Sequence, residues 1–229
     1  MARKVYIIAA ARTPVSPVGG CLRNLSVQKM AASVLKVNLD RLVLPITHVE
    51  DVIISNALSG GGNIARLCTL ETGFENTLLG STIDRQCVGG LDAVIQAKKR
   101  VENENAKLLL AGGVESFSLR PDRLYRTSWK GETLKLERPL FYPHDNTKLA
   151  VGETVIKLKK EFGISDLEEF EWARLSHNKS LKNQVNHQRE MCSIKGIPSQ
   201  DSYARKISYE MFLKSQKTFG NFHPCNKAP

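Results

Sequence analysis

Apolar runs alternate with amphipathic stretches through the first half of the chain. Lys4-Val-Tyr-Ile-Ile-Ala-Ala10 is apolar on both faces, which predicts a buried strand of a layered α/β sheet. Thr13 to Gly20 is a loop by its Pro and Gly content. Ser26 is placed to cap a helix whose apolar face carries Val27, Met30, Ala31, Val34 and Leu35, and Pro45 ends that unit. Val49 to Ser55 reads as a second strand. Gly60-Gly-Gly-Asn63 then makes a sharp turn before a helix carrying Ile64, Ala65, Leu67 and Leu70. It lacks the lysine and glycine spacing of a phosphate-binding loop. Ser81 to Gln86 is a short strand, followed from Leu91 by a helical pattern of Leu91, Val94, Ile95 and Val101. Ala106 to Ala111 is a further buried strand. Strands alternating with helices predict an α/β fold with a largely parallel sheet.

The character changes near Ser118, so the predicted division is 1–118 and 119–229. Arg120 to Lys148 is rich in Pro, Arg and aromatic residues and has no clear period. A helix is expected over Gly152 to Phe162. Ser165-Asp-Leu-Glu168 fits a capping box opening a longer helix to about Leu181. Residues 186–202 read as loop, and Ser208 to Lys217 as a short helix. No alternating strands are expected in this half.

Cys87 falls where a strand ends and a helix begins, within Arg85-Gln-Cys87-Val-Gly-Gly90-Leu91. A sulfur there feels the positive end of the helix dipole and the free N–H groups of the first turn. Both favour the thiolate, the nucleophilic form of the side chain. Gly89 and Gly90 put no side chain beside it, leaving room for a substrate. Cysteine is also among the most buried residue types, so the local pattern leaves open a thiol that only fills space.

Composition narrows the setting. The 229 residues suffice for one large domain or two small ones. No apolar run approaches a membrane span. The run after Arg3-Lys4 is short for a signal peptide and stops at Arg12-Thr-Pro14, so a cytoplasmic location is expected. Five cysteines (Cys21, Cys68, Cys87, Cys192 and Cys225) show no metal spacing and no Cys-x-x-Cys pair. Their odd number argues for free thiols in a reducing compartment, and no metal site is expected. The formal net charge is +10. Residues 1–118 hold 13 Lys and Arg against 10 Asp and Glu, or +3; residues 119–229 hold 20 against 13, or +7. A basic second half suits a polyanion such as nucleic acid, a membrane surface or a phosphorylated cofactor, although most of its lysines read as ordinary solvated surface.

Several segments, taken in order, resemble the thiolase family of acetyl-CoA acetyltransferases and 3-ketoacyl-CoA thiolases. They are Ala10-Ala-Arg-Thr-Pro14 with Gly19-Gly20, Val49-Glu-Asp-Val-Ile-Ile with Asn63-Ile-Ala-Arg66, and Arg85-Gln-Cys87-Val-Gly-Gly90-Leu91. Ala111-Gly-Gly-Val-Glu115-Ser116, Gly152-Glu-Thr, Phe162-Gly-Ile-Ser165, Ser176-His177, Asp201 with Arg205, and Gly220 to Asn226 continue the match. The resemblance implies a layered α/β N-terminal domain over 1–118 that carries Cys87. It also implies an inserted, mostly helical loop domain over 119–229 for CoA binding and oligomerisation. Ketoacyl synthases, which are related condensing enzymes, lack that insert.

The implied chemistry is attack of the Cys87 thiolate on an acyl-CoA thioester, with CoA released. A second acetyl-CoA, deprotonated at its α-carbon, then takes the acyl group to give acetoacetyl-CoA; thiolysis is the reverse. Coenzyme A or acyl-CoA enters as substrate, with no prosthetic group. Arg205 matches a family position near the CoA phosphates, and a guanidinium suits a diphosphate. Arg66 is expected to tie a helix to the sheet through a charge-assisted bond. Glu115 is expected to accept from backbone N–H groups rather than act as a base. His177 reads as a packed or surface histidine, and His144 and His187 carry no signal. The family's late Gly-His-Pro and Cys-x-Gly segments have no counterpart before Pro229, and His223-Pro224 is read as chance. Gly89 stands where the family has serine, and Val151 where it has methionine. Two readings follow: an acyltransferase represented by its N-terminal half and loop domain, or a degenerate, non-catalytic fragment that binds CoA or a partner subunit. The expected partners are acyl-CoA and either a second copy of the chain or a complementing C-terminal half, with neither nucleic acid nor membrane.

Overall fold

The computed structural model describes residues 3–59, 61–103, 106–136 and 150–219. His144, His223, Cys225 and the expected segment Gly220 to Asn226 lie outside the described residues, as do the side chains of Val151 and Glu153. The chain forms two compact units. One holds residues up to Arg123 together with Gln188–Gln200; the other holds Leu124–His187 and the residues from Asp201 on. This differs from the expected division at 118, because the 188–200 segment returns to the first unit. The Arg12 N–H donates to Glu190 O at 3.0 Å and the Cys192 N–H to Arg12 O at 2.8 Å. Arg41 donates to Met191 O at 2.9 Å.

In the first unit, β1 (Asp51–Ser55), β2 (Gly80–Ile83) and β3 (Leu109–Gly113) form a parallel sheet in the order β2-β1-β3. Ile53 lies opposite Ser81 on one side and Ala111 on the other. Parallel strands need long crossovers, and helices provide them. α2 (Ile64–Thr72) links β1 to β2, and α3 (Gly89–Asn103) links β2 to β3. Val52 and Ile54 join a core with Val27, Met30 and Leu35 of α1 (Val27–Leu42) and Ile64, Ala65 and Cys68 of α2. Ile53 points to the other face of the sheet, where α3 packs on β1 and β3. A strand covered on both faces is apolar at successive positions, as β1 is.

Local chemistry sets the helix ends. The Asn63 side chain accepts from the Arg66 N–H at 3.1 Å, capping α2. Gly73, at φ +87°, ends that helix in the left-handed region. Ser26 precedes α1, but its hydroxyl makes no cap hydrogen bond. α1 continues to Leu42 and turns out at Val43, a β-branched residue at φ +52°.

The predicted buried strand 4–10 is the main departure. Among the described residues they pair with no strand, and Tyr6, Ile7 and Ile8 are 71%, 78% and 55% exposed. Their apolar character is real, but among the described residues no strand lies beside them to complete the burial. No helix among the described residues is long and apolar enough to cross a membrane.

From Arg123, the last residue of that part of the first unit, β4 (Arg123–Arg126) runs into the second unit and pairs with β5 (Thr133–Leu136), a two-stranded sheet where no strands are predicted. The Thr127 N–H donates to Glu132 O at 3.1 Å across its turn. The helices α4 (Ala150–Glu161), α5 (Asp166–Lys182), α6 (Gln184–Glu190) and α7 (Tyr209–Phe219) follow. The predicted capping box is formed: the Ser165 hydroxyl accepts from the Glu168 N–H, and the Glu168 carboxylate accepts from the Ser165 N–H at 2.8 Å. α6 occupies a stretch read as loop from residue 186. Phe170, Ala173, Ile207 and Phe212 make the core of this unit. Tyr209 meets the Phe170 ring edge-on, with centroids 5.2 Å apart.

Candidate active site

Cys87 lies at the carboxyl ends of the parallel strands, the side on which open α/β sheets bind ligands. β2 ends at Ile83, and a single 3-10 turn over Gln86–Val88 carries the chain into α3. Gln86 takes φ +50°, and its N–H donates to the Asp84 carboxylate at 2.8 Å. A left-handed residue with a side chain costs about 1–2 kcal/mol. It sharpens the turn just before the cysteine. Arg85 reaches forward to Asp92 in the first turn of α3 at 3.1 Å, bracing the bend from outside.

Of the cysteines within the described residues, Cys87 is exposed, Cys21 is intermediate, and Cys68 and Cys192 are buried. Burial, with a smaller contribution from Glu71, pushes the Cys68 thiol up to about 12. Burial also pushes Cys192 up. Both stay protonated and unreactive at neutral pH. Among the described residues, the N–H of Cys87 has no acceptor.

The glycines have separate reasons. A Cβ on Gly89 would collide with the Ser55 hydroxyl at the end of β1. Gly89 is therefore required beneath the sulfur, by packing of the turn onto the sheet. A Cβ on Gly113 would stand 3.3 Å from the Gly90 Cα, so β3 and the start of α3 approach closely there. Ser55 is buried, and its carbonyl accepts from the Val114 N–H at 3.0 Å.

Glu115 follows β3 and holds the loop after β1. Its carboxylate accepts from the Ala57 and Leu58 N–H groups and from the Asn56 side-chain amide at 3.3 Å. Asn56 is buried, donates to Val114 O at 2.8 Å and accepts from the Ser59 N–H at 3.1 Å. Arg123 donates to Ala57 O at 2.5 Å. Burial raises the Glu115 carboxyl above its ordinary value against the lowering effect of the two N–H donors; Asp84 adds to the rise and Arg123 opposes it.

The fold thus brings Cys87, Gly89, Gly90 and Glu115 to one end of one sheet. Arg66 sits elsewhere in the same unit, donating to Leu78 O at 2.6 Å and Asn76 O at 2.8 Å to tie α2 to the segment before β2. Arg205 belongs to the second unit and is exposed. Its N–H donates to Nδ1 of buried His177 at 3.2 Å, and the His177 ring stacks on Tyr203. Sequence reasoning missed Ser55, Asn56 and Arg123. For Ser55 a signal existed, because a glycine at 89 implies something close against it.

The model of the family described as "Thiolase, N-terminal domain" matches residues 5–223. A Staphylococcus aureus protein named "Putative acetyl-CoA C-acetyltransferase VraB" is 32% identical over 98% of this chain and 59% of its own length. A Staphylococcus epidermidis protein of the same name is 32% identical over 97% of this chain and 58% of its own. The crystal structure of the Bacillus anthracis acetyl-CoA acetyltransferase superposes with a TM-score of 0.80 at 28% identity, covering 93% of this chain and 58% of that one. The chain therefore spans about three-fifths of the length of these relatives. With a layered α/β unit of matching fold and a family match over nearly its whole length, the chain belongs to the thiolase family, of which it represents the N-terminal domain.

Proposed function

We propose that Cys87 is the acyl-accepting nucleophile of a thiolase-type acyl-CoA acyltransferase. The observation that carries this reading is the exposure of Cys87 on a sharp, glycine-flanked turn at the carboxyl ends of the strands. The sulfur attacks the thioester carbonyl, a C–S bond forms to Cys87, and the bond to CoA breaks. CoA leaves with the proton that the Cys87 thiol gave up. Negative charge develops on the carbonyl oxygen, and the N–H of Cys87, without an acceptor among the described residues, is one donor for it.

Condensation to acetoacetyl-CoA additionally needs a base for the α-carbon of a second acetyl-CoA. Glu115 is engaged by Ala57, Leu58 and Asn56, so we assign it the task of shaping the loop. Residues 1–229 are accordingly expected to take up an acyl group slowly and not to complete condensation or thiolysis. Lacking a positioned base alone lowers a rate about 10²–10⁴-fold. Arg205 is assigned to the phosphates of CoA on the family resemblance, and residues 119–229 to CoA binding and oligomerisation on the same ground. The soluble substrate calls for no membrane and accords with a cytoplasmic enzyme.

The test is mass spectrometry after incubation with acetyl-CoA, with a coupled thiolysis assay alongside. An acetyl group on the peptide containing Cys87, lost in Cys87→Ala, is expected. Acetylation of Cys21 in its place would sink the assignment. Thiolysis at the rate of a complete thiolase would overturn the claim that this polypeptide alone does not turn over.

A further inference from the structure

Segment 201–207 leads into α7 of the second unit and carries Arg205. At its start the Asp201 carboxylate lies 3.5 Å from Nδ1 of His187. At its end Ile207 is buried in the core with Phe170, Ala173 and Phe212. Between these points the Arg205 N–H donates to Nδ1 of His177 at 3.2 Å, and the Tyr203 ring lies within 13° of parallel to the His177 ring. α5 aims His177 at this segment. Phe170, Ala173 and His177 are the buried residues of that helix, and their spacing puts them on one face. An Nδ1 that accepts belongs to a neutral ring with its proton on Nε2. His177 is 5% exposed, so this acceptor is committed to one backbone N–H away from water.

Arg205 is held by its main chain and left loose at its side chain. The residue is exposed, and its guanidinium makes neither a hydrogen bond nor an ion pair among the described residues. A fixed backbone under an unengaged guanidinium suits the capture of an anion. The planar donors stay available, and little main-chain freedom is lost when the ligand arrives. We propose that His177 is a positioning residue for CoA binding, acting through the Arg205 N–H to hold the guanidinium's mount where the phosphates lie. This rests on the assignment of Arg205 to the CoA phosphates made above.

Two variants separate this role from plain packing. His177→Leu fills much of the same space and offers no acceptor. His177→Asn fills less, but its side-chain oxygen can accept where Nδ1 did. A histidine kept for its volume makes the leucine variant the better of the two, and a histidine kept for its acceptor makes the asparagine variant the better. A third variant leaves every side chain in place. Ligation at Cys192 to a synthetic segment 192–229, with an ester in place of the peptide between Ala204 and Arg205, removes the N–H itself.

The measurement is calorimetric titration of the full chain with CoA. Arg205→Gln is expected to weaken binding about tenfold, and His177→Leu and the ester variant about three- to tenfold. His177→Asn is expected to bind as the native chain does. In a double-mutant cycle, adding His177→Leu to Arg205→Gln is expected to cost nothing further, because the histidine acts through the arginine. Native affinity in the ester variant would overturn the proposal. So would a loss in His177→Asn greater than in His177→Leu, or a full second loss in the double variant. Each of these leaves the assignment of Arg205 standing. Native affinity in Arg205→Gln would sink that assignment and the proposal with it.

Discussion

β1 and the segment 4–11 are alike in composition and opposite in fate. Val52-Ile-Ile54 is completely or almost completely buried, whereas Tyr6-Ile-Ile8 is mostly exposed. Both are runs of apolar, strand-forming residues. β1 has a strand on each side and helices on both faces. Segment 4–11 has no strand beside it among the described residues. Apolarity selects the strand, but burial is conferred by the neighbours, and those come from distant sequence. β3 stands between the two cases, paired with β1 on one edge and, among the described residues, with no strand on the other.

The comparison is most sharply tested by paired truncations. Ile53→Ala is expected to cost about 2–5 kcal/mol, and Ile7→Ala less than about 0.5 kcal/mol, in denaturant unfolding. Equal costs would mean that the amino-terminal run is packed in solution. Next in size, Gly89→Ala drives a methyl into Ser55 and is expected to destabilise by about 1–3 kcal/mol. Ser55→Ala made together with it should recover part of that loss. On the open side the sign reverses. A Cβ on Gly112 meets nothing within 4 Å, and Gly112→Ala is expected to raise stability by about 0.5–1 kcal/mol. A loss there would place a neighbour against β3.

The smallest effect concerns Glu115, which joins the open strand to the loop after the closed one. Its carboxyl is raised above 4.5 in the folded state, chiefly by burial. The folded protein therefore holds a proton that the unfolded chain has released, and stability falls as pH rises from about 4.5 through the folded value. Glu115→Gln does not titrate. The stability of the native protein relative to this variant is expected to decline across that window in unfolding measurements at a series of pH values. A difference that stays flat would show that the carboxyl is not raised.

Much of this was legible where local chemistry decides. Ser165 announces a helix start because a side chain can satisfy an end N–H within a few residues. The Cys87 turn was legible from its strand, its glycines and the helix after them. The β4–β5 hairpin was hidden because its strands are short and mixed in character, so two-residue alternation never emerges from the Arg and aromatic background. α6 was hidden by polar residues around the whole helix, among which the sequence QVNHQRE offers no stripe to read. Ser55 could be found only through the glycine that meets it from another element. The exposure of residues 4–11 was illegible for the converse reason: nothing in those residues states what their neighbours lack.

The bridge between Arg12 and Met191 has a consequence in time. A growing chain leaves the ribosome amino-terminus first, at about 5–20 residues per second, so some 180 residues follow Arg12 over roughly 10–40 seconds before its partners emerge. α1 and the β1–β2 pair depend on nearer contacts and can settle within that interval. Residues near Arg12 are thus among the last of this unit to be tethered. An apolar stretch kept waiting that long stays open to non-native contacts until the partners of Arg12 are made.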